Sequence, residues 1–343
     1  MRLRRVHAFI LVLGFVLMIY LLWRVGFQNI WGKLSLLGSG LIVLIWAEGV
    51  AEFFHAISWR YCLGDAHRGI SLSRLFGMNV AGYAISYLTP TASVGGDVTR
   101  TVLLIGSGKG VDAVSSMLVS KLSFAIAHLS FVLVGCILIV PRITLPASLR
   151  LSLLIGCFVL MCGILTFLWI QKRGKLGILA RYLVRRKVGG DALAGLLGYI
   201  SRVDDALQSF YRARPSGLPL AVFWHLIGYL VGIFQVWYFL YIVAGSPLIV
   251  PSIKVWFVGM WFDLLTFAIP MNLGALEGGR IMAFSSVGYD PSVGIAFAVA
   301  MRIVQLSMSA LGLVIYLLLV SKKYPGRKSG SERLAERKVH EGA

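Results

Sequence analysis

The chain carries apolar runs at about 8–23, 36–59, 111–140, 150–170, 218–244 and 291–320. Each approaches or exceeds the roughly 20 apolar residues that a helix needs to cross a bilayer. The overall balance agrees: 58% of the 343 residues are hydrophobic and 14% charged, against roughly 45–50% and about 25% in soluble domains. In hydrocarbon every backbone polar group must be satisfied within the protein, so such runs fold as helices. The expectation is an all-α polytopic membrane protein with about six full spans.

Two regions do not fit a simple span. Residues 72–105 and 252–288 each hold an apolar arm, a Pro/Gly-rich break with charges and a second short arm. At about 1.5 Å per residue, neither second arm is long enough to cross. The breaks read "LTPTASVGGDVTR" over Leu88–Arg100 and "IPMNLGALEGGR" over Ile269–Arg280. Pro90 and Pro270 open the same pattern, Pro-x6-acid-x2-Arg, which ends in Asp97 and Arg100 or in Glu277 and Arg280. Irregular backbone at membrane depth survives only where protein or a water-filled cavity satisfies it. Both regions are therefore expected to be re-entrant helical hairpins.

The formal net charge of +19 invites a nucleic-acid partner, and the placement of the charges argues against one. Cations collect between apolar runs, at Met1–Arg5, Arg60–Arg74, Lys172–Arg214 and Lys322–Lys338, as the positive-inside rule requires of cytoplasmic loops. If both hairpins return to the side they entered from, all these segments are cytoplasmic, and Pro141–Arg150 and Gly245–Lys254 face outward. A full crossing by Leu72–Thr89 would instead translocate the cations from Lys172 to Lys187. Span, span, hairpin, span then occurs twice in opposite orientation, as an inverted-topology repeat of the kind transporters use. Residues 1–320 form one transmembrane domain, with repeat one at 8–140 and repeat two at 150–320. A cytoplasmic amphipathic insertion occupies 171–217, with apolar spacing at Leu193, Leu196, Leu197, Ile200, Val203 and Leu207 that suits a helix on the headgroup surface. The basic tail 321–343 is expected to be disordered. Met1–Arg5 opens like a signal peptide, but no A-x-A-like site follows, so the first run is expected to stay as a span. The protein is placed in the cytoplasmic (inner) membrane with both termini cytoplasmic.

Ionisable residues within apolar runs are costly and by default face an interior or a cavity. Here they are Glu48, Glu52, His55, Asp97, Arg100, Lys121, His128, His225, Asp263, Glu277, Arg280 and Arg302. Mutual pairing that holds the bundle together would explain any one of them. The two breaks suggest more, because the constellation is repeated. Pro90 and Pro270 end the first arms; Gly95, Gly96, Gly274, Gly278 and Gly279 permit tight turns and close approach. The second arm then begins with free N–H groups, which favour an anion. Arg100 and Arg280 add forks suited to phosphate, and Asp97 and Glu277 lie three residues before them, placed to orient them. Lys121 and Arg302 follow the arginines by 21 and 22 residues. These residues are the expected binding set, with Phe124, Phe131, Trp256, Phe257, Trp261, Phe262 and Phe297 as apolar walls of one cavity.

Glu48, Glu52 and His55 share one helical face, as a cavity lining or proton relay. Glu52-x2-His55 is half of a di-iron pattern whose second half the chain lacks. The cysteines (Cys62, Cys136, Cys157 and Cys162) show no C-x2-C spacing, so neither a metal site nor a disulfide framework is indicated. "GSGKG" at 106–110 lacks the ending of a Walker motif. No cofactor is expected.

With "GGDVTR" and "GALEGGR" in place, the chain resembles the flippase-like proteins whose fold is shared with the transmembrane domain of lysylphosphatidylglycerol synthases, and also membrane proteins associated with hopanoid biosynthesis. The resemblance covers roughly 8–320 and implies lipid translocation or handling. The two-domain synthases add a soluble aminoacyl-transfer domain; this chain ends at Ala343, so that enzymatic activity is not expected. Membrane lipids, with an anionic preference, are the expected partners, together with a lipid-biosynthetic enzyme or a second copy of the chain. The leading expectation is a transporter or flippase for an anionic or amphiphilic lipid. The alternatives are a membrane-embedded enzyme using Asp97, Glu277 or Glu52 as acid/base on a lipid headgroup, and a scaffold for a lipid-modifying partner.

Overall fold

A computed structural model of the chain describes residues 20, 23, 27–63, 69–89, 94–105, 110–138, 147–186, 197–245, 248–266 and 274–321. Most of the first apolar run, Pro90, Pro270, residues 106–109 and the tail from Lys322 lie outside them. The described residues form helices and no strands. In chain order these are α1 (Phe27–Leu37), α2 (Gly40–Cys62), α3 (Leu72–Leu88), α4 (Val94–Ile105), α5 (Gly110–Leu138), α6 (Ala147–Lys172), α7 (Leu176–Arg185), α8 (Leu197–Ala213), α9 (Gly217–Ala244), α10 (Ile249–Thr266), α11 (Ala275–Ser285) and α12 (Pro291–Ser321).

Five helices are long and apolar enough to cross a membrane: α2, α5, α6, α9 and α12. They coincide with the apolar runs after the first. The two irregular regions each give a helix pair, α3 with α4 and α10 with α11, and the members of each pair pack on one another. The second members have 12 and 11 residues, about 18 Å or less at the helical rise, short of the roughly 30 Å of a hydrocarbon core.

Small residues set the crossings, because helix association in lipid depends on close approach rather than on a hydrophobic drive. Gly96 lies so close to α3 that a Cβ there would run into Ser86 Oγ and the Gly82 carbonyl. Gly294 of α12 meets the α11 backbone at Arg280 and Ile281 in the same way, and Gly312 meets Val80 of α3. Large aromatics of α10 use glycines of three facing helices: Trp256 sits on Gly232, Phe257 on Gly135 and Trp261 on Gly156. At the start of α11, Gly274 has φ +73°, a left-handed conformation that only glycine adopts without strain. The expected aromatic walls are therefore largely packing residues. Phe257, Trp261 and Phe297 are fully buried, with Phe297 against Phe239 and Phe284.

Helices α2 and α9 run antiparallel over their length. Glu48 meets Gln235, His55 meets His225, and Ser58 Oγ donates to the Ala221 carbonyl. Helix α3 packs on α12 and α5 on α10, again antiparallel, as Tyr87–Arg302 and His128–Met260 show beside Gly312–Val80 and Gly135–Phe257. The insertion 171–217 contains two described helices, α7 and α8, rather than one. Val203, Leu207 and Phe210 of α8 are buried, and α8 packs on α5, α6 and α7. Its apolar face is thus turned onto protein rather than laid flat on a headgroup surface. Leu193 and Leu196 lie outside the described residues.

Candidate functional site: a buried ionic seam

Helix α4 places Asp97 and Arg100 one turn apart, and α5 brings Lys121 across from them. Lys121 Nζ takes Asp97 Oδ2 at 2.8 Å. Arg100 is left with one loose ion-pair contact, Nη1 to Asp97 Oδ1 at 3.7 Å, and makes no hydrogen bond among the described residues. Its Nε and Asp97 Oδ1 are both buried without a hydrogen-bond partner. The Arg100 side chain lies against Gly82 of α3, where a Cβ would stand 2.5 Å from its Cγ and Nε.

The second pair of short helices repeats part of this and changes the rest. Glu277, at the same place in α11, also turns to the following long helix: Arg302 Nε donates to its Oε1 at 2.9 Å. Arg280 does not use Glu277. Its Nη2 donates to Asp263 Oδ2 of α10 at 2.8 Å, and its guanidinium lies 5.5 Å from the Trp256 ring centroid. It also rests against a glycine of the first arm, Gly259. Each tip acid is thus engaged by a cation one helix further on, and each arginine is threaded past a glycine of the opposite arm.

Neutral polar groups join the clusters. Asn79, Tyr83 and Tyr87 recur every four residues along α3 and form one stripe. Arg302 Nη1 donates to the Tyr87 hydroxyl at 3.2 Å, and the Tyr87 and Tyr83 rings stack at 6.4 Å. Tyr83 donates to Glu48 Oε1 at 3.1 Å, and Gln235 Nε2 donates to Glu48 Oε2 at 3.0 Å. One turn along α2, Asn79 Nδ2 donates to Glu52 Oε2 at 2.6 Å and to the Glu52 carbonyl at 3.0 Å. His55 Nδ1 lies 2.8 Å from His225 Nδ1, so one ring donates and the other accepts. Phe124 and Tyr229 enclose the two rings, and Lys121 Nζ lies 6.0 Å from the Phe124 centroid.

Of the sequence-derived set, Asp97, Arg100 and Lys121 form one cluster, Glu277 and Arg302 another that reaches Glu48 through Tyr87 and Tyr83, and Arg280 pairs with Asp263; Pro90 and Pro270 lie outside the described residues. Gly95 and Gly96 lie in the first turn of α4, and Gly278 and Gly279 in α11 after Gly274. Gly279 faces Phe262, 2.8 Å from where its Cβ would sit to Phe262 Cβ. The expectation that Glu277 orients Arg280 is replaced: Asp263 does so, because the first arm offers a closer carboxylate. Asn79, Tyr83, Tyr87 and Gln235 escaped a search limited to ionisable residues, although the four-residue spacing on α3 was a usable signal. No group of three or more His, Cys, Asp or Glu side chains suited to a metal occurs among the described residues.

Such a seam holds charge inside an apolar bundle; among the described residues Arg100 and Arg280 each have a buried Nε without an acceptor, and only Arg280 has a close carboxylate on another nitrogen. Comparison with known proteins fits that picture. No curated protein and no solved structure matches the chain. The family described as the lysylphosphatidylglycerol synthase TM region matches over residues 8–312. That is most of the chain, including both Pro/Gly-rich breaks and every helix described here up to Gly312, and it identifies the protein as a multi-pass membrane protein of the lysylphosphatidylglycerol synthase transmembrane-region family.

Proposed function

We propose that the protein binds an anionic or amphiphilic lipid at the Arg100–Asp97–Lys121 cluster and moves it across the cytoplasmic membrane. One observation carries this reading. A largely buried guanidinium makes no hydrogen bond, although buried polar groups are nearly always satisfied. An external anion, such as a lipid phosphate, would supply the missing acceptors, and a planar fork suits its geometry. The family's association with lipid chemistry supports a lipid over a soluble anion, as do the apolar helices around the cluster.

The same reading treats α3/α4 and α10/α11 as re-entrant hairpins within an inverted repeat. The antiparallel contact of α2 with α9, and of α3 with α12 and α5 with α10, supports it, because a two-fold axis in the membrane plane relates such pairs. Both termini and the α7–α8 insertion then face the cytoplasm.

The test is translocation of a headgroup-labelled anionic phospholipid in sealed proteoliposomes. Arg100→Ala is expected to abolish translocation while the protein still reconstitutes, and Arg100→Lys to fail as well, since a point charge does not reproduce a bidentate contact. Chemical conversion of the labelled lipid in detergent, where there are no two sides, would instead establish an enzyme.

A further inference from the structure

An apolar groove lies near the start of α5, just before the turn that carries Lys121. Helices α7 and α8 meet the start of α5 around this groove, lined by Val114, Leu118, Leu176, Leu179, Ile200 and Val203. Its volume, about 260 Å³, is just below the roughly 300–1,000 Å³ of whole-ligand pockets. That suits a stretch of one acyl chain rather than a complete lipid. Leu179 is 41% exposed and its neighbours Ile178 and Tyr182 are more so, so the groove continues into an apolar surface.

The groove is held open by a fixed scaffold. Asp204 of α8 accepts from the backbone N–H groups of Leu176 and Gly177 at 3.1 and 2.7 Å, capping the start of α7. Tyr211 of α8 donates to Gln171 Oε1 of α6 at 2.6 Å, and burial raises the Tyr211 phenol further above its ordinary value, which keeps it a donor.

Charge decides the occupant. Residues 172–186 and 197–214 contain nine lysines and arginines against two aspartates, and Asp204 is committed to the cap. One cation stands beside the lining, and another adjoins it in sequence. Arg202 lies 5.7 Å from the ring centroid of Tyr199, itself a lining residue, and Lys175 directly precedes Leu176 with its Nζ 4.0 Å over the Trp169 ring. We infer that this groove is a loading site for an anionic phospholipid of the cytoplasmic leaflet, with an acyl chain in the groove and the phosphate on Lys175 and Arg202. Val114 and Leu118 lie on the same face of α5 as Lys121, at spacings of four and three, so the groove and the seam share that face of the helix. The inference rests on the proposed topology but not on the transport step.

Leu179→p-benzoylphenylalanine, made in the full chain, tests it by photocrosslinking in mixed micelles. Phosphatidylglycerol should be labelled in preference to phosphatidylcholine. Lys175→Gln and Arg202→Gln should each reduce that labelling about fivefold, the effect of one cation near an anionic surface. Arg100→Ala should leave it unchanged even where translocation is lost, which separates failure of this inference from failure of the transport proposal. Equal labelling of the two lipids would overturn the inference, as would labelling indifferent to both glutamines, adducts with protein in place of lipid, or loss of labelling in Arg100→Ala.

Discussion

The two halves of the seam use the same parts and differ in how completely they are paired. In the C-terminal half, Arg280 has Asp263 and Arg302 has Glu277, with Glu277 1% exposed and Arg302 12%. In the N-terminal half, Arg100 and Lys121 share Asp97, and Lys121 is 35% exposed. The C-terminal half has one carboxylate for each guanidinium, although Arg280 Nε also lacks an acceptor and Asp263 is 30% exposed; in the N-terminal half the Arg100 side chain makes no hydrogen bond at all among the described residues. A buried pair with good geometry gains strength from the low-dielectric interior, so the C-terminal cluster suits holding the bundle together. In the proposed reading the N-terminal cluster is where an anion is received and released.

The comparison is broken most severely by removing a partner from the C-terminal half. Glu277→Ala takes the carboxylate from Arg302, which keeps the Tyr87 hydroxyl, and should destabilise the protein by about 3–5 kcal/mol, visible as loss of monodisperse protein or a large drop in Tm. Lys121→Ala should cost much less, since Arg100 remains within reach of Asp97. Equal losses from the two substitutions would contradict the asymmetry.

Glycines sharpen it at the next level. Gly96→Ala places a methyl against the Gly82 carbonyl, which backbone cannot yield to without separating α3 from α4. An overpacking cost of about 1–3 kcal/mol is expected. Gly82→Ala meets the Arg100 side chain rather than backbone, so it should cost less Tm than Gly96→Ala while displacing Arg100 and stopping the proposed translocation. A fully active Gly82→Ala variant would separate Arg100 from the site.

The smallest effect concerns the helix that carries Arg302. Asp290 precedes α12 and accepts hydrogen bonds from the Ser292 N–H at 2.8 Å and from the Ser292 hydroxyl. These bonds hold its carboxyl below the usual aspartate range. A depressed folded-state pKa stabilises above the unfolded value, near 4, and is lost as pH falls through the folded value. Asp290→Ala should therefore cost about 1 kcal/mol at neutral pH, and its Tm difference from the parent protein should shrink as pH drops below about 4.

Much of this was legible in the sequence. Apolar length marked five of the helices, and the broken pattern at Leu88–Arg100 and Ile269–Arg280 marked the paired short ones. Spacing also brought Asp97 near Lys121 and Glu277 near Arg302. What spacing could not supply was choice among partners. Arg280 is three residues from Glu277 yet pairs with Asp263, because that selection depends on how α10 and α11 face each other. The aromatic residues were misassigned for a similar reason. Their glycine seats, Gly135, Gly156 and Gly232, lie on other helices, and only the packing shows which ring meets which glycine. The α8 face was read as membrane-facing because amphipathicity gives an apolar side but not what covers it.

The central claim is that the N-terminal cluster receives the lipid's anionic group and the C-terminal cluster does not. It is tested most directly by thermal stabilisation of the purified protein with phosphatidylglycerol and with phosphatidylcholine. The parent protein should gain more Tm from the anionic lipid. Arg100→Ala should shrink that difference to what the groove between α7 and α8 contributes, whereas Arg280→Ala should lower Tm in both lipids and keep the full difference. Equal stabilisation of the parent protein by the two lipids, or a difference abolished by Arg280→Ala and retained in Arg100→Ala, would contradict the account.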